Sequence, residues 1–371
     1  MEKTINECFF QIQNGANIKQ GDIEGGFPIT RIETTANDKF NRDRMGYAGI
    51  TDISKYEAYV LEDGDLLMSH INSVQYLGRT VLYVKQPDET IIHGMNLLRL
   101  KARRNIINPA YARYCFYGHT FRCQIGNITK KSVNQASFAV KDLKQIKIEV
   151  PSLDEQNKVV VILDRVQKLI DMRNDELASL DDLIKARFVE MFGDPIINSR
   201  HLETKDLKDV MLLKAGDFTV ASDIADEQTE TNPYPCYGGN GIRGYVSEYN
   251  QEGDYSLVGR QGALSGNVQY ASGKFKNTEH ALLVTPIVEM NSIWLHQLLL
   301  NLDLKRYQTG AAQPGLSVKN LQEIQVILAP IDEQNRFAEF VKRIDKSKVA
   351  VQKALDETQL LFNSLMQKYF G

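Results

Sequence analysis

Apolar residues spaced alternately three and four apart mark two long stretches of the chain. In the first, Leu163, Val166, Ile170, Leu177, Leu180 and Ile184 keep that rhythm together with Arg173, Arg187 and Met191; in the second, Val341, Ile344, Val351, Leu355, Phe362 and Leu365 keep it with Lys348, Thr358 and Tyr369. A three-four alternation held over about four heptads predicts long helices, each with a narrow seam for lengthwise packing. A helix from Glu155 to Phe192 has 38 residues and, at about 1.5 Å per residue, runs roughly 57 Å. That is longer than a small domain is wide. Polar residues in the seam, Arg173, Arg187, Lys348 and Thr358, predict snorkelling stems or positions that meet another subunit.

The two stretches are copies of one another, 178 residues apart. At that offset Val140-Lys-Asp-Leu-Lys-Gln-Ile146 matches Val318-Lys-Asn-Leu-Gln-Glu-Ile324, Asp154-Glu-Gln-Asn157 matches Asp332-Glu-Gln-Asn335, and Phe192-Gly193 matches Phe370-Gly371. Each copy opens with an alternating run that predicts a short strand, Ile146/Ile148/Val150 and Ile324/Val326/Leu328, stopped near Pro151 or Pro330. Asp154 and Asp332 are then placed as N-caps, with Ser152 and Glu155 offering an alternative capping box in the first copy.

Before each helix lies a globular segment of different rhythm. Gly64 to Ser69 and Leu77 to Val84 predict short strands with tight turns, a helix is predicted to start at Asn108-Pro109, and Asn127 to Gln135 reads as a polar loop. The second segment follows the same plan through Glu252 to Val258, a helix around Trp294, and a polar loop from Thr309 to Pro314. The predicted fold class is α+β: two globular α/β halves separated by two long helices that form an antiparallel coiled coil. The bounds are 1–153, 154–193, 194–331 and 332–371.

With 371 residues, 43% hydrophobic and 25% charged, the chain has the make-up of a globular protein with more than one domain. It lacks a signal-peptide pattern and a membrane-length apolar run, so a cytoplasmic protein without a membrane partner is expected. Net charge is −3, unevenly spread: residues 1–150 hold 20 basic and 16 acidic side chains, residues 201–330 hold 10 and 15. From Lys101 to Lys131 there are seven basic residues and no acid, an anion-attracting stretch.

Catalytic patterns are missing where they would be needed. The four cysteines and six histidines show no ligand spacing, and no metal is assigned. Gly239-Asn-Gly-Ile-Arg-Gly244 fits a dinucleotide pattern but follows a proline-bearing turn and precedes an alternating run, where a strand and a helix are required. Asn232-Pro-Tyr-Pro235 has the residues but not the order of an amino-methyltransferase motif, and no phosphate-binding Gly-x-x-x-x-Gly-Lys-Ser/Thr loop occurs.

The paired helices with their Asp-Glu-Gln starts, the Gly64-Asp-Leu-Leu…Ser69…Ser73…Leu77-Gly-Arg79 run and Asn134-Gln-Ala-Ser137 resemble the specificity subunits of Type I restriction-modification systems. Tyr237-Gly-Gly-Asn-Gly-Ile-Arg-Gly-Tyr245 and Val258-Gly-Arg-Gln-Gly-Ala263…Gly266-Asn-Val268 extend the resemblance into the second half. The resemblance covers essentially the whole chain. It implies two target-recognition domains, each reading one half of a split site in double-stranded DNA. It also implies helices that set the spacing and dock two modification (methyltransferase) subunits, with restriction (helicase-nuclease) subunits joining the complex. This chain would be non-catalytic and hold no cofactor, the methyl donor and ATP residing on its partners.

Base reading calls for Arg, Lys, Asn or Gln at groove edges, and phosphates are held by Lys, Arg and backbone amides. The candidates are Ser69, His70, Asn72, Arg79, Lys130, Lys131 and Gln135 in the first half, and Asn240, Arg243, Arg260, Gln261, Lys274, Lys276 and Gln313 in the second. The rival readings are a stand-alone DNA methyltransferase and a coiled-coil scaffold that does not touch DNA.

Overall fold

A computed structural model describes residues 1–20, 26–132, 135–262, 264–310 and 315–371. Asn134, Ala263 and Gln313 lie outside the described residues. The chain forms two compact units, Met1–Met172 with Ala354–Gly371, and residues 173–353. Mixed helix and sheet build both, and each takes in part of each long helix.

The first unit is centred on a four-stranded antiparallel sheet in the order Phe9–Asn14, Leu97–Ala102, Leu66–Ser69, Thr80–Leu82. Its inner strands are buried on both faces: Leu66, Met68, Leu98 and Leu100 face one apolar cluster, Leu67 and Leu97 another. Helix Pro109–Tyr117 follows, capped by Asn108, whose side-chain oxygen accepts from Ala110 N and Tyr111 N. The loop predicted from Asn127 is shorter than expected, because a second helix, His119–Ile128, continues through Asn127. Its apolar Phe121 and Ile125 keep it on the core.

The second unit repeats this sheet strand for strand: Met211–Ala215, Ala281–Pro286, Tyr255–Gly259, Val268–Ala271, all antiparallel. Counted along the chain, in both units the first of these four strands pairs with the fourth, and the fourth with the second. Helix Ser292–Asn301, capped by Asn291, follows in the place of the Asn108 helix. The outer pairs also correspond, Glu2–Thr4 with Lys147–Glu149 and Glu203–Asp206 with Gln325–Leu328. The second unit adds a further sheet in the order Gly241–Val246, Tyr234–Gly238, Lys274–Asn277, Gln251–Glu252. The duplication therefore reaches into the globular halves, which differ by insertion.

The long helices are Leu153–Phe192 and Ile331–Phe370, 40 residues each. Both begin before the aspartates expected as caps. In the first, the Ser152 capping box closes the end: Ser152 N donates to Glu155 Oε2 at 3.0 Å and Glu155 N donates to Ser152 Oγ at 3.3 Å. In the second, Pro330 O accepts from Glu333 N and Gln334 N. Asp154 and Asp332 sit in the first turn, where a negative charge suits the helix dipole.

The helices pack together within each unit. In the first unit Val159, Val160 and Leu163 share a cluster with Phe362, Leu365, Met366 and Tyr369, and Tyr114 OH donates to Asp164 at 2.7 Å. In the second the pairing is antiparallel, with Asp181 meeting Lys348 at 2.5 Å, the Arg187 guanidinium over the Phe340 ring, and Phe188 against Phe337. Of the expected seam, Leu163, Val166, Ile170, Ile184 and Val341 are buried, while Leu177, Leu180, Ile344, Val351, Leu355, Phe362 and Leu365 are half-buried. The polar seam positions find partners inside the pair: Thr358 Oγ1 donates back to Ala354 O, and Arg187 and Lys348 cover the neighbouring helix.

The repeated Asp-Glu-Gln-Asn has a function beyond helix starting. Gln156 and Gln334, both buried, accept from the backbone N–H of Asn108 and Asn291 at 2.8 and 2.9 Å. Gln156 Nε2 donates to Pro151 O and Ile106 O, and Gln334 Nε2 to Ala329 O. Asn157 and Asn335 then accept from the side-chain amides of the same two cap residues. Each long helix thus grips the start of a domain helix through one glutamine and one asparagine.

Candidate nucleic-acid interface

In the first unit the candidates gather on a three-stranded ribbon made from Ile71–Asn72, Ala136–Ser137 and Lys130–Lys131. Ala136 lies between Asn72 and Lys131, and Ser137 between Ile71 and Lys130. Ser132 donates to Gln135 O through both its backbone N–H and its hydroxyl, which ties the ends of the two strands to each other. Lys130, Lys131 and Gln135 are exposed and Asn72 is half-buried. Alternation along a strand sends the two lysines to opposite faces. The adjoining loop exposes Ile71, Val74 and Tyr76.

Other first-half candidates are placed differently from the expectation. Ser69 and His70 are buried. Ser69 pairs through its backbone with Gly78 and Arg79, and its hydroxyl accepts from Asn72 Nδ2. His70 lies 3.3 Å from Asn14 Nδ2, and burial lowers its pKa. Both support the loop from beneath, because the strand they end is covered on both faces. Arg79 is ion-paired with Asp38 at 2.8 Å and stacked on Tyr76, and Asp38 is itself fixed by Tyr117 OH. The acid-free stretch from Lys101 to Lys131 does not form one patch either. Lys101 pairs with Glu62, Arg104 reaches Asp63, and Arg113 donates to Asp38 O.

In the second unit Asn240, Arg260 and Gln261 come together at the end of the two sheets. Asn240 Oδ1 accepts from Asn267 Nδ2 at 2.9 Å, Arg260 N donates to His280 O, and Gln261 Oε1 lies 2.9 Å from His280 Nδ1. Glycine is required here, since a Cβ on Gly259 would stand 2.2 Å from Gly239 O. Arg243 is exposed, its side chain crossing Gly238. The Arg260 Nε is shielded without a hydrogen-bond partner among the described residues.

Lys274 and Lys276 stand apart on their own strand, each facing an acid. Lys274 lies 4.0 Å from Glu252 and over the Tyr249 ring; Lys276 lies 3.6 Å from Asp217. A hydrogen bond from Asn250, with Lys276 adding to it, holds the Asp217 carboxyl below its usual range. Sequence spacing did not reveal His280, Asn267, or the exposed pair Lys305 and Arg306, which follow the Asn291 helix and run close to Gly266. The adjacent Lys-Arg in a segment with few acids was the available signal. It supplies positive charge to a unit whose total is negative.

Comparisons with known proteins agree with this organisation. Residues 2–181 and 200–358 each match the family described as Type I restriction modification DNA specificity domain. The chain is 33% identical over 246 residues to the Type I restriction enzyme EcoprrI specificity subunit of Escherichia coli, covering 62% of this chain and 59% of that one. It is 31% identical over 211 residues to a putative type I restriction enzyme MjaX specificity subunit of Methanocaldococcus jannaschii, covering 56% of this chain and 49% of the relative. The matched stretch therefore spans about half to three-fifths of these relatives. A crystal structure of a Type I restriction-modification S subunit from M. genitalium superposes with a TM-score of 0.61 at 16% identity, over all of this chain and 96% of that one. A chain from a structural study of type I complex assembly gives 0.54 at 17%, with the same coverage. These two likenesses concern the fold. Among the described residues, no helix is long and apolar enough to cross a membrane.

Proposed function

Because this chain belongs to the Type I restriction modification DNA specificity family, with the domain present twice, we propose that it is the sequence-reading subunit of a Type I restriction-modification complex. Each unit reads one half of a bipartite duplex site. The long helices set the interval between the half-sites and dock two methyltransferase subunits, with helicase-nuclease subunits joining through them. The methyl donor and ATP belong to those partners, and the chain works in the cytoplasm without chemistry of its own.

The observation that carries this reading is the family match in both halves, joined to exposed Lys, Asn and Gln side chains on a ribbon in one unit and a loop cluster in the other. Exposed apolar residues on the long helices, Ile162, Leu169 and Met172 in the first unit and Leu183 and Val189 in the second, support docking of partners there.

The test is DNA binding by the assembled complex. Changing both Lys130 and Lys131 to Glu is expected to weaken binding and to lower the slope of log affinity against log salt by about two, roughly one for each phosphate no longer neutralised. Unchanged affinity at low and high salt alike contradicts the assignment of that ribbon.

A further inference from the structure

Between Ser69 and Arg79 every side chain expected to meet DNA is already engaged. Ser69 and His70 are buried. The Asn72 amide is used at both ends, Nδ2 donating to Ser69 Oγ at 3.3 Å and Oδ1 accepting from Ser73 N at 2.8 Å. Arg79 pairs with Asp38 at 2.8 Å and lies over the Tyr76 ring at 4.6 Å. These contacts converge on one turn of 3-10 helix, Val74–Tyr76, where Tyr76 N donates to Ser73 O at 2.9 Å and Leu77 N to Val74 O at 3.3 Å. Both flanks are pinned to each other, Ser69 N donating to Arg79 O and Gly78 N to Ser69 O, each at 2.8 Å. The turn is held, yet what it carries faces solvent. Val74 is 51% exposed, and Gln75 is exposed with no hydrogen bond among the described residues. No acidic residue occurs from Leu66 to Pro87, and the exposed Lys130 and Lys131 lie on the same ribbon as Asn72.

We propose that Gln75 and Val74 are the base-reading tip of the first unit, that they read an A·T pair in the major groove, and that Asn72 is a positioning residue for them. This rests on the reading of the chain as a DNA-recognition subunit. A primary amide sets an acceptor beside a donor, and the adenine edge sets the N6 amine beside N7, so one glutamine closes two hydrogen bonds with it. Guanine offers acceptors alone at O6 and N7 and leaves the amide oxygen unpaired. The thymine of the pair adds a C5-methyl, to which an aliphatic side chain is complementary. Because the turn is ordered beforehand by Asn72 and by the Tyr76–Arg79–Asp38 stack, less freedom is lost when the tip meets the base.

The experiment is selection from a library of randomised double-stranded DNA by the full chain assembled with its methyltransferase subunits. Gln75→Ala should reduce the preference for adenine at one position by about tenfold, the range of one good base contact, and leave the other positions intact. Gln75→Glu should move that preference toward cytosine, whose N4 amine a carboxylate accepts from. Asn72→Ala should relax the same position, while Asn72→Asp, which can still accept from Ser73 N and from the Ser69 hydroxyl, should restore adenine. Replacing the thymine of that pair with deoxyuridine should weaken wild-type binding about fourfold, the worth of one buried methyl, and Val74→Ala should lose most of that difference. The proposal is overturned if Gln75→Ala changes nothing, weakens every position equally or relaxes a G·C position. It is overturned equally if Asn72→Asp moves the preference to cytosine and Gln75→Glu does not, since Asn72 would then be the reader, or if wild type binds thymine and deoxyuridine alike. A wild-type complex that enriches no motif removes the DNA-reading premise, and this inference falls with it.

Discussion

Two buried glutamines illustrate how much one residue can do when it is fully enclosed. Gln156 and Gln334 satisfy a helix-start N–H and neighbouring carbonyls at once, and an unsatisfied buried group costs about 1–3 kcal/mol. Gln156→Ala is expected to speed hydrogen exchange at Ala110 to Ala112 without affecting Ile293 to Leu295, and Gln334→Ala to do the reverse. The repeat itself was legible in the sequence, but this role was not. The partner asparagines, Asn108 and Asn291, are 183 residues apart, not 178, so no fixed offset connects them. Long-range pairing hides other residues in the same way: Asp38 neutralises Arg79 from 41 positions upstream. Burial acts on histidine as well. It lowers His93 to about 3 and His296 to about 4. The unfolded chain takes up these protons near pH 6.5 while the folded chain refuses them. Their stabilising contribution is therefore full above about pH 6.5 and declines as pH falls toward 4. Denaturant midpoints measured from pH 7.5 to 5 should drop, and His93→Asn should flatten the dependence in the first unit.

At the scale of elements, the three-four rhythm located both long helices and most of their contact face. It did not find the residues that fasten the helices to the globular halves. Phe188, Phe192, Phe337 and Trp294, all completely buried, form an aromatic cluster with ring separations from 5.1 to 6.4 Å. Phe188 and Phe192 each fall one place beyond a seam residue, Arg187 and Met191, so a heptad reading passes them over. They turn toward the sheet and helix of the second unit, contacts that periodicity does not encode. Phe188→Ala is expected to cost about 3–5 kcal/mol and Leu163→Ala about 2–5 kcal/mol. Leu177→Ala, at a half-buried site, should cost clearly less than either. Thermal unfolding of the full chain, followed separately in each unit, checks the ranking. Strands were legible wherever alternation met a Gly-Asp turn, as at Leu66–Ser69 and Tyr255–Gly259.

For the whole molecule, the duplicated sheet order and the paired helix starts mean that one plan was used twice and then filled with different loops. The ribbon that carries Asn72, Lys130 and Lys131 has a counterpart in the second unit, where Gly315 bridges to both Gln261 and Thr309, but the side chains on the two are different. Two unlike surfaces on two like supports are what independent reading of two half-sites requires. Replacing residues 201–330 with the equivalent segment of another family member, and sequencing the methylated bases of DNA from cells carrying the hybrid complex, tests that claim directly. The account predicts a methylated site in which one half changes and the other half is retained. A site altered in both halves, or in neither, contradicts it.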